Sequence, residues 1–305
     1  MTARERPSSA VLAMALCLIW ALTFIAQRTA LREAPPLWVA AGRTTIGALA
    51  LSPWLRTMRG YGWRIAALLA ATNIVGFVGL QHVGLDAIGA GPSAAIIYTQ
   101  PVLVALGAHF FLAERLSPAR VAGVLLGFAG VAVVSAHEVS AASAGAVIAL
   151  LVCAVSWAAG TLITRATPSQ PVLGVVAAQH ALGAPVLLAL AAAAEDSPAV
   201  SAKLAAMVLF AGLFGAAGGQ LLFTTLLRRG EASTVATWMF SVPILAAVLA
   251  VLLLGEPVRA PLAVGLLLVS LGVWLSTRRP ARSAGTPGTR GGARPSESAG
   301  DRASA

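Results

Sequence analysis

The chain has 305 residues, of which 58% are hydrophobic and 10% charged, with a mean hydropathy of +0.85. An ordinary soluble domain is about 45–50% apolar and about 25% charged, so this composition excludes a soluble globular protein and leaves little room for a soluble catalytic domain. The net charge of +10 comes from cations that lie between apolar runs. This pattern favours a membrane protein with Lys and Arg on its cytoplasmic side over a protein that binds nucleic acid.

Apolar runs of about 20 residues recur along the first 277 residues and predict ten transmembrane helices. Helices are expected because every backbone polar group must be satisfied inside the hydrocarbon, and the runs do not alternate as barrel strands do. The first run follows Arg4 and Arg6, as a signal peptide would, but its counterpart in the second half favours a retained helix. The predicted spans are residues 9–26, 36–55, 65–85, 87–113, 118–136, 144–163, 172–194, 202–227, 232–254 and 260–277.

The distribution of Lys and Arg between the predicted loops indicates the orientation. With the N-terminus inside, the N-terminal segment and the loops hold ten of these cations on the cytoplasmic side and four on the outer side. This bias predicts a multi-pass protein of the cell (inner) membrane with both termini in the cytoplasm. Residues 278–305 contain no Leu, Ile, Val or aromatic residue, and we expect a disordered cytoplasmic tail there.

The two halves of the predicted bundle, residues 9–136 and 144–277, carry the same pattern. The spacing Pro-x12-Glu-x8-Gly-x6-Gly occurs twice, 142 residues apart, and Trp20 and Trp157 pair at a shift of 137. Each half holds five spans, an odd number, so the second half enters the membrane from the opposite side as an inverted repeat. Such symmetry places a binding site near the midplane and supports alternating access, although a duplicated scaffold need not transport. The pairs in the first pattern are Pro101 and Pro243, Glu114 and Glu256, Gly123 and Gly265, and Gly130 and Gly272.

Several segments of the chain resemble the EamA-type transporters of the drug/metabolite transporter superfamily. These segments include residues 94–101 (AAIIYTQP), residues 111–117 (FLAERLS) and, in the second half, residues 255–257 (GEP). The resemblance covers about residues 10–277. It implies an all-α integral membrane protein with ten helices in two EamA repeats, and a cavity surrounded by the first, third, fourth, sixth, eighth and ninth helices.

Arg43 is the one strong charge inside a predicted span, about eight residues from its start and so about 12 Å deep. A guanidinium at that depth is costly and marks a functional site, where it can clamp a carboxylate or phosphate. A structural cation that snorkels outward is the alternative interpretation. His180, beside Gln179, has the corresponding depth in the second repeat and is expected to face Arg43, unless it only bonds a packed helix. His82 and His109 are assigned to the membrane interface.

Aromatic residues and prolines of the repeat are further candidates. Trp20, Tyr98 and Trp157 are predicted to line the substrate cavity, with anchoring in the lipid interface as the alternative for the two tryptophans. Pro101 and Pro243 each remove a backbone hydrogen bond inside a predicted helix. We expect both prolines to kink their helices and so provide points where the halves bend.

Glu114 and Glu256 are predicted to have structural, gating roles. Each ends a helix, where the macrodipole disfavours an anion, and precedes the next helix, whose N-terminus favours one. Ser117 and Pro118 are the expected N-cap and first residue of the fifth helix. Both acids are therefore expected to link neighbouring helices, with Glu114 near the cytoplasm and Glu256 near the outside.

The residues also limit the chemistry. No predicted span contains a deep Asp or Glu, which argues against an exporter of cationic drugs, whereas Arg43 favours an anionic or zwitterionic metabolite. The sequence has no P-loop and no catalytic or metal-binding motif, so we predict no enzyme activity, no cofactor, no metal and no catalytic residue. Cys17 and Cys153 lie inside apolar runs and are taken as small hydrophobic residues.

These observations together predict a secondary transporter that exports a small carboxylate-bearing metabolite, such as an amino acid, by rocking two inverted halves. The predicted partners are the small-molecule substrate and membrane lipids, and no nucleic acid. The motif Gly123-x3-Gly127 permits close helix contact, for which internal packing is expected and a homodimer stays open. Efflux of uncharged or lipophilic drugs and a non-transporting membrane scaffold remain alternatives.

Overall fold

The computed structural model of the chain describes residues 8–60, 62–88, 93, 96–135, 144–254 and 260–277. Every regular element over these residues is a helix. The expectations for Glu256 and for residues 278–305 lie outside the described residues. The helices, numbered in chain order, are α1 (Ser9–Ala30), α2 (Pro36–Leu51), α3 (Trp63–Leu69, Ala70–Gly79 and Leu80–Ile88), α4 (Gln100–Phe111), α5 (Pro118–Ser135), α6 (Ala144–Ala166), α7 (Val172–Ala194), α8 (Ala202–Phe210, Ala211–Gly219 and Gln220–Arg229), α9 (Ala232–Trp238 and Ser241–Leu254) and α10 (Ala260–Thr277).

The apolar character of these helices defines a multi-pass membrane protein. Within the described part of the chain, six helices are long and apolar enough to cross a membrane, namely α1, α3, α6, α7, α8 and α9, whereas α4, α5 and α10 are shorter apolar helices. Helix α2 continues into a 3₁₀ segment, Ser52–Met58. Large apolar side chains such as Phe110, Leu125 and Leu252 are exposed on the outside of the bundle. Lipid covers such a surface, which a soluble monomer would rarely show.

Four helices are interrupted at related positions of the two halves. Helix α3 is π-helical over Ala70–Gly79, and α8 is π-helical over Ala211–Gly219, 141 residues later. Helix α4 begins directly after a turn at Tyr98 and Thr99, and α9 is broken at Met239 and Phe240. The turns at the start of α4 and within α9 lie just before Pro101 and Pro243, so the repeated prolines account for their related positions.

The repeated prolines lie directly after these turns. Pro101 is the second residue of α4, and Pro243 is the third residue of the second segment of α9. Proline lacks the amide proton and clashes with the carbonyl four residues earlier, but both costs vanish in the first turn of a helix. The backbone stays helical through each turn, with Thr99 at φ −68°, ψ −18° and Met239 at φ −65°, ψ −22°, and the Thr99 and Met239 amides donate to carbonyls three residues earlier. That the prolines kink their helices and let the halves bend there stays a prediction.

Helices α5 and α10 pack through glycines in a two-fold arrangement. A Cβ built on Gly123 would lie 2.5 Å from the Gly272 carbonyl oxygen, and one built on Gly130 would lie 2.9 Å from the Gly265 carbonyl oxygen. In the repeat, Gly123 corresponds to Gly265 and Gly130 to Gly272. If the two helices are exchanged, the contact of Gly123 with Gly272 becomes the contact of Gly265 with Gly130, so the pair of contacts is unchanged. Gly127 also lies in this crossing, so the glycine motif serves internal packing, as expected.

Polar contacts tie the two halves together at both ends of the bundle. At one end Glu33, between α1 and α2, pairs with Lys203 of α8 at 2.8 Å and accepts a hydrogen bond from Ser201. The Glu195 carboxylate, after α7, accepts from the backbone amides of Leu37 and Trp38 at the start of α2. The opposite end carries the α4–α5, α6–α7 and α8–α9 connections, and its contacts centre on Glu114.

Candidate functional site

A small polar cavity lies inside the bundle, with a volume of about 50 Å³. This space holds a few water molecules rather than a metabolite. Helices α1, α2, α3, α6, α7, α8 and α9 and the turn before α4 all contribute to its wall. The lining includes every predicted substrate-binding residue, namely Trp20, Arg43, Tyr98, Trp157 and His180.

Arg43 provides the positive charge of this cavity. The side chain lies in the middle of α2 and is 7% exposed. Among the described residues no carboxylate pairs with this guanidinium, and its Nε atom has no hydrogen-bond partner. An unpaired cation costs about 2.5–3.5 kcal/mol at a helix centre in the membrane. The arrangement is thus suited to an anion that enters the cavity, because such a ligand supplies the missing partner.

A cluster of aromatic rings forms one wall of the cavity. Trp157 is 2% exposed and stacks on Phe77 with ring centroids 4.6 Å apart. Its ring also meets Trp20 and Tyr98 edge-on, each at 5.9 Å. The two tryptophans related by the repeat therefore meet each other inside the bundle. The Trp20 indole donates a hydrogen bond to the Gly215 carbonyl oxygen in the π segment of α8, which holds the ring against the cavity.

The cavity also has polar residues that the sequence had not indicated. Four amide side chains lie in its lining, and Thr23 and Thr44 add hydroxyl groups that bond backbone carbonyls of their own helices. The Asn73 amide nitrogen donates to the Gln179 side-chain oxygen at 3.1 Å. No sequence motif marks these residues, since uncharged amides also serve ordinary helix packing. The amides are Gln27, Asn73, Gln81 and Gln220.

His180 and His82 are both buried in the bundle. His180 lines the cavity, and its Nδ1 atom lies 2.8 Å from the Val176 carbonyl oxygen. His82 is fully buried, with Nδ1 2.7 Å from the Val78 carbonyl oxygen. The sequence-based assignment of His82 to the membrane interface is therefore not supported, because α3 continues past it and packs it into the bundle.

Glu114 lies away from the cavity and caps a helix. Its carboxylate accepts hydrogen bonds from the Ala232 amide at 2.8 Å, from the Ser233 amide at 3.3 Å and from the Ser233 hydroxyl at 2.8 Å. These amides open α9, whereas α5 is capped by the Ser117 hydroxyl, as expected. Glu114 thus links its helix to the other half of the chain rather than to the next helix, because the α9 N-terminus offers free amides and a favourable dipole.

Apolar side chains close the cavity on the side of Glu114. Leu16, Phe223 and Phe240 are at most 1% exposed and belong to one packed cluster. Beyond this layer an opening of about 880 Å³ lies between the starts of α1 and α9 and the α4–α5 connection. A solute can pass between this opening and the cavity only if the layer separates.

A polar cavity enclosed by membrane-crossing helices is the architecture of a membrane transporter. The model of the EamA-like transporter family matches residues 7–136 and again residues 144–278. The chain therefore belongs to the EamA-like transporter family, as the sequence motifs predict, and with it to membrane transporters rather than enzymes. Its bacterial relatives are consistent with the cell membrane.

Individual relatives agree with this assignment over nearly the whole chain. The Bacillus subtilis protein named "Uncharacterized transporter YvbV" is 36% identical over 290 residues, which cover 92% of this chain and 95% of that protein. The Streptantibioticus cattleyicolor protein named "Probable terminal-alkyne amino-acid exporter" is 29% identical, over 93% of this chain and 99% of that protein. A crystal structure that is 21% identical has the same fold, with a TM-score of 0.79 over 90% of this chain and 97% of that chain.

Proposed function

We propose that the protein is a secondary transporter that exports a small carboxylate-bearing metabolite, with Arg43 as the residue that binds the carboxylate. The observation that carries the proposal is the buried Arg43 guanidinium, which lines the central cavity without a carboxylate partner among the described residues. Arg is suited to this role because its planar fork binds carboxylates through two hydrogen bonds. Export is supported by the name of the Streptantibioticus cattleyicolor relative, a probable amino-acid exporter.

Alternating access by two inverted halves is the proposed mechanism. The halves are residues 9–136 and 144–277, each with five membrane helices, and both termini lie in the cytoplasm. Support comes from the paired π segments in α3 and α8, the paired breaks before Pro101 and Pro243, and the two-fold glycine crossing of α5 and α10. The closed layer at Leu16, Phe223 and Phe240 is the part that separates when the cavity opens toward the cytoplasm.

Efflux of lipophilic compounds is the second candidate, and the aromatic wall favours it. Trp20, Phe77 and Trp157 give the cavity a large apolar surface that suits a ring system without charge. The two candidates differ in what they require of Arg43, because only a carboxylate needs the guanidinium.

The deciding experiment measures solute flux in proteoliposomes with wild type and Arg43→Gln side by side. The panel holds amino acids, organic acids, uncharged aromatics and cationic dyes. We expect flux of a carboxylate-bearing solute that falls about 10- to 100-fold in Arg43→Gln, since a hydrogen-bonded charge is worth about 1.5–3 kcal/mol. Flux of uncharged aromatics that the substitution leaves unchanged would favour lipophilic efflux instead.

Arg56→Gln is the matched control, because Arg56 is exposed in the 3₁₀ segment that follows the same helix. This variant loses the same charge outside the cavity and should transport as wild type does. Size-exclusion profiles of both variants in detergent establish that each is folded before the fluxes are compared.

A further inference from the structure

Besides Arg43, two amide residues of the cavity, Gln27 and Asn73, have a side-chain oxygen without a hydrogen-bond partner. Gln27 is the one considered for a ligand. It is 4% exposed, lines the cavity, and its side-chain oxygen has no hydrogen-bond partner. A buried acceptor without a partner costs free energy, which a ligand can recover by donating a hydrogen bond. Asn73 is already tied to Gln179 through its amide nitrogen, whereas the proposed carboxylate site uses Arg43 and leaves the Gln27 acceptor unexplained.

Gln27 lies at the same depth as Arg43, as the contacts of the π segment of α8 with α1 and α2 indicate. Gly215 of that segment packs against Thr23 of α1, and a Cβ on Gly212 would lie 2.9 Å from the Arg43 carbonyl oxygen. Gln27 follows Thr23 by one turn on the same face of α1. Gly212 precedes Gly215 by about one turn on α8, which runs antiparallel to α1. Moving one turn along α1 from Thr23 to Gln27 covers the same distance, in the same direction, as moving one turn back along α8 from Gly215 to Gly212. Because Gly212 contacts Arg43, Gln27 lies at the depth of Arg43.

The charge of the cavity also limits what this acceptor can bind. Its lining among the described residues holds the Arg43 cation, four amide side chains and no carboxylate. These residues thus offer no full negative charge to bind a cation. An ammonium group can still be held by an amide oxygen and by the faces of aromatic rings. Trp20 and Trp157 supply such faces in the same cavity.

We propose that Gln27 is a specificity-determining residue that binds the ammonium group of a zwitterionic amino acid whose carboxylate lies on Arg43. This inference rests on the proposed carboxylate transport and narrows it. A 2-hydroxy acid has the same carboxylate and side chain but lacks the ammonium group, so it keeps the contact with Arg43 and loses the charged donor to Gln27. The transporter should then prefer the amino acid.

The test is a competition flux assay in proteoliposomes with two matched pairs, leucine with 2-hydroxyisocaproate and phenylalanine with 3-phenyllactate. In wild type we expect the amino acid of a transported pair to be preferred by about tenfold or more, since a site built to bond a polar group discriminates against its absence. Gln27→Met keeps the side-chain length and removes the acceptor, so the preference should fall to about threefold or less while hydroxy-acid flux is retained.

Gln170→Met is the matched control, because Gln170 is also buried with an unpaired side-chain oxygen but lies outside the cavity, before α7. It should keep the wild-type preference. If Gln27→Met does not fold, Gln27→Asn, which withdraws the acceptor by one methylene, replaces it.

The outcomes separate this inference from the proposed function. Equal wild-type flux of both members of a pair, or an unchanged preference in the Gln27 variant, would overturn the role of Gln27 and leave Arg43-dependent carboxylate transport intact. Absence of flux for both members of both pairs, together with Arg43-independent flux of other solutes, would overturn the proposed function and the inference with it.

Discussion

At the scale of single residues, charge is used in two ways. Arg43 has no carboxylate partner among the residues that the structure describes, whereas the carboxylates of Glu33, Glu114 and Glu195 are paired or hydrogen-bonded at the ends of the bundle. The acids at the ends join one half of the chain to the other. If Arg43 binds a ligand, as proposed, its charge must stay available, whereas a charge that holds two halves together must be paired. The two roles would then occur at different depths.

The pairing of Glu33 makes the end of the bundle that holds Lys203 sensitive to acid. Hydrogen bonds from Lys203 and Ser201 hold the pKa of the Glu33 carboxyl below its usual range. A carboxyl whose pKa is depressed by folding stabilises the fold above its unfolded pKa, and this contribution is lost as the pH falls through the lower, folded pKa. We therefore expect wild type to exceed Glu33→Gln in melting temperature at neutral pH, and the difference to vanish in acid.

Melting curves in detergent between pH 3 and pH 7 measure this difference. The difference in melting temperature between wild type and Lys203→Met should depend on pH in the same way. The double variant should lose no more stability than either single variant, because each substitution removes the same ion pair. A difference that persists unchanged at pH 3, below the ordinary pKa of a glutamate, would contradict the assigned pairing.

The residues of the cavity wall that the sequence indicated carry a charge or repeat in both halves. Arg43 is a charge in an apolar run, and Trp20, Trp157 and Tyr98 lie at repeated positions; all four line the cavity. Gln27 was not foreseen because an amide in a helix has no distinguishing signal. Its place at the cavity depends on how α1 is rotated about its axis against the π segment of α8. A π segment changes which residues of its helix face inward, and apolar periodicity does not reveal such a change.

At the scale of helices, the ends of the elements follow from the sequence more sharply than their interruptions do. The apolar runs predicted α7 and α10 to the residue, since these helices begin and end at clear polar boundaries. The turns before Pro101 and Pro243 were expected as kinks, and bending of the halves at these places stays a prediction. A proline in a sequence indicates that a hydrogen bond is lost, but tertiary packing decides whether the helix bends through the gap or restarts after it.

The crossing of α5 and α10 depends on the absence of side chains at its glycines. Gly123→Ala would bring a methyl group to 2.5 Å from the Gly272 carbonyl oxygen and 2.9 Å from the Ser276 amide nitrogen. Because backbone atoms of α10 cannot yield as a flexible side chain does, we expect a destabilisation of about 1–3 kcal/mol, as for other overpacked sites. Thermal unfolding in detergent measures it.

Gly145→Ala is the control for this prediction, because Gly145 is also helical and nothing lies within 4 Å of a Cβ built there. Alanine favours helix over glycine, so the control should melt at the wild-type temperature or slightly above it. Equal melting temperatures for both variants would show that α5 and α10 do not pack as closely as described.

At the scale of the whole molecule, the two-fold relations constrain how the chain lies in the membrane. The π segments, the helix breaks and the glycine contacts recur at a spacing of 141 or 142 residues. Polar contacts join the halves at both ends, and the apolar layer closes the cavity on the side of Glu114. Alternating access then requires that the contacts at one end break while those at the other hold.

An inverted repeat places equivalent connections on opposite sides of the membrane, which cysteine labelling can test. Arg56, after α2, and Asp196, after α7, are both exposed and occupy corresponding places in the two halves. In a variant with Cys17→Ala and Cys153→Ala, we expect a membrane-impermeant maleimide to label Asp196→Cys in intact cells and to leave Arg56→Cys unlabelled. Inside-out vesicles should reverse the result, which controls for reactivity. Labelling of both positions from one side would exclude the inverted arrangement, because helices α2 and α7 would then cross the membrane in the same direction.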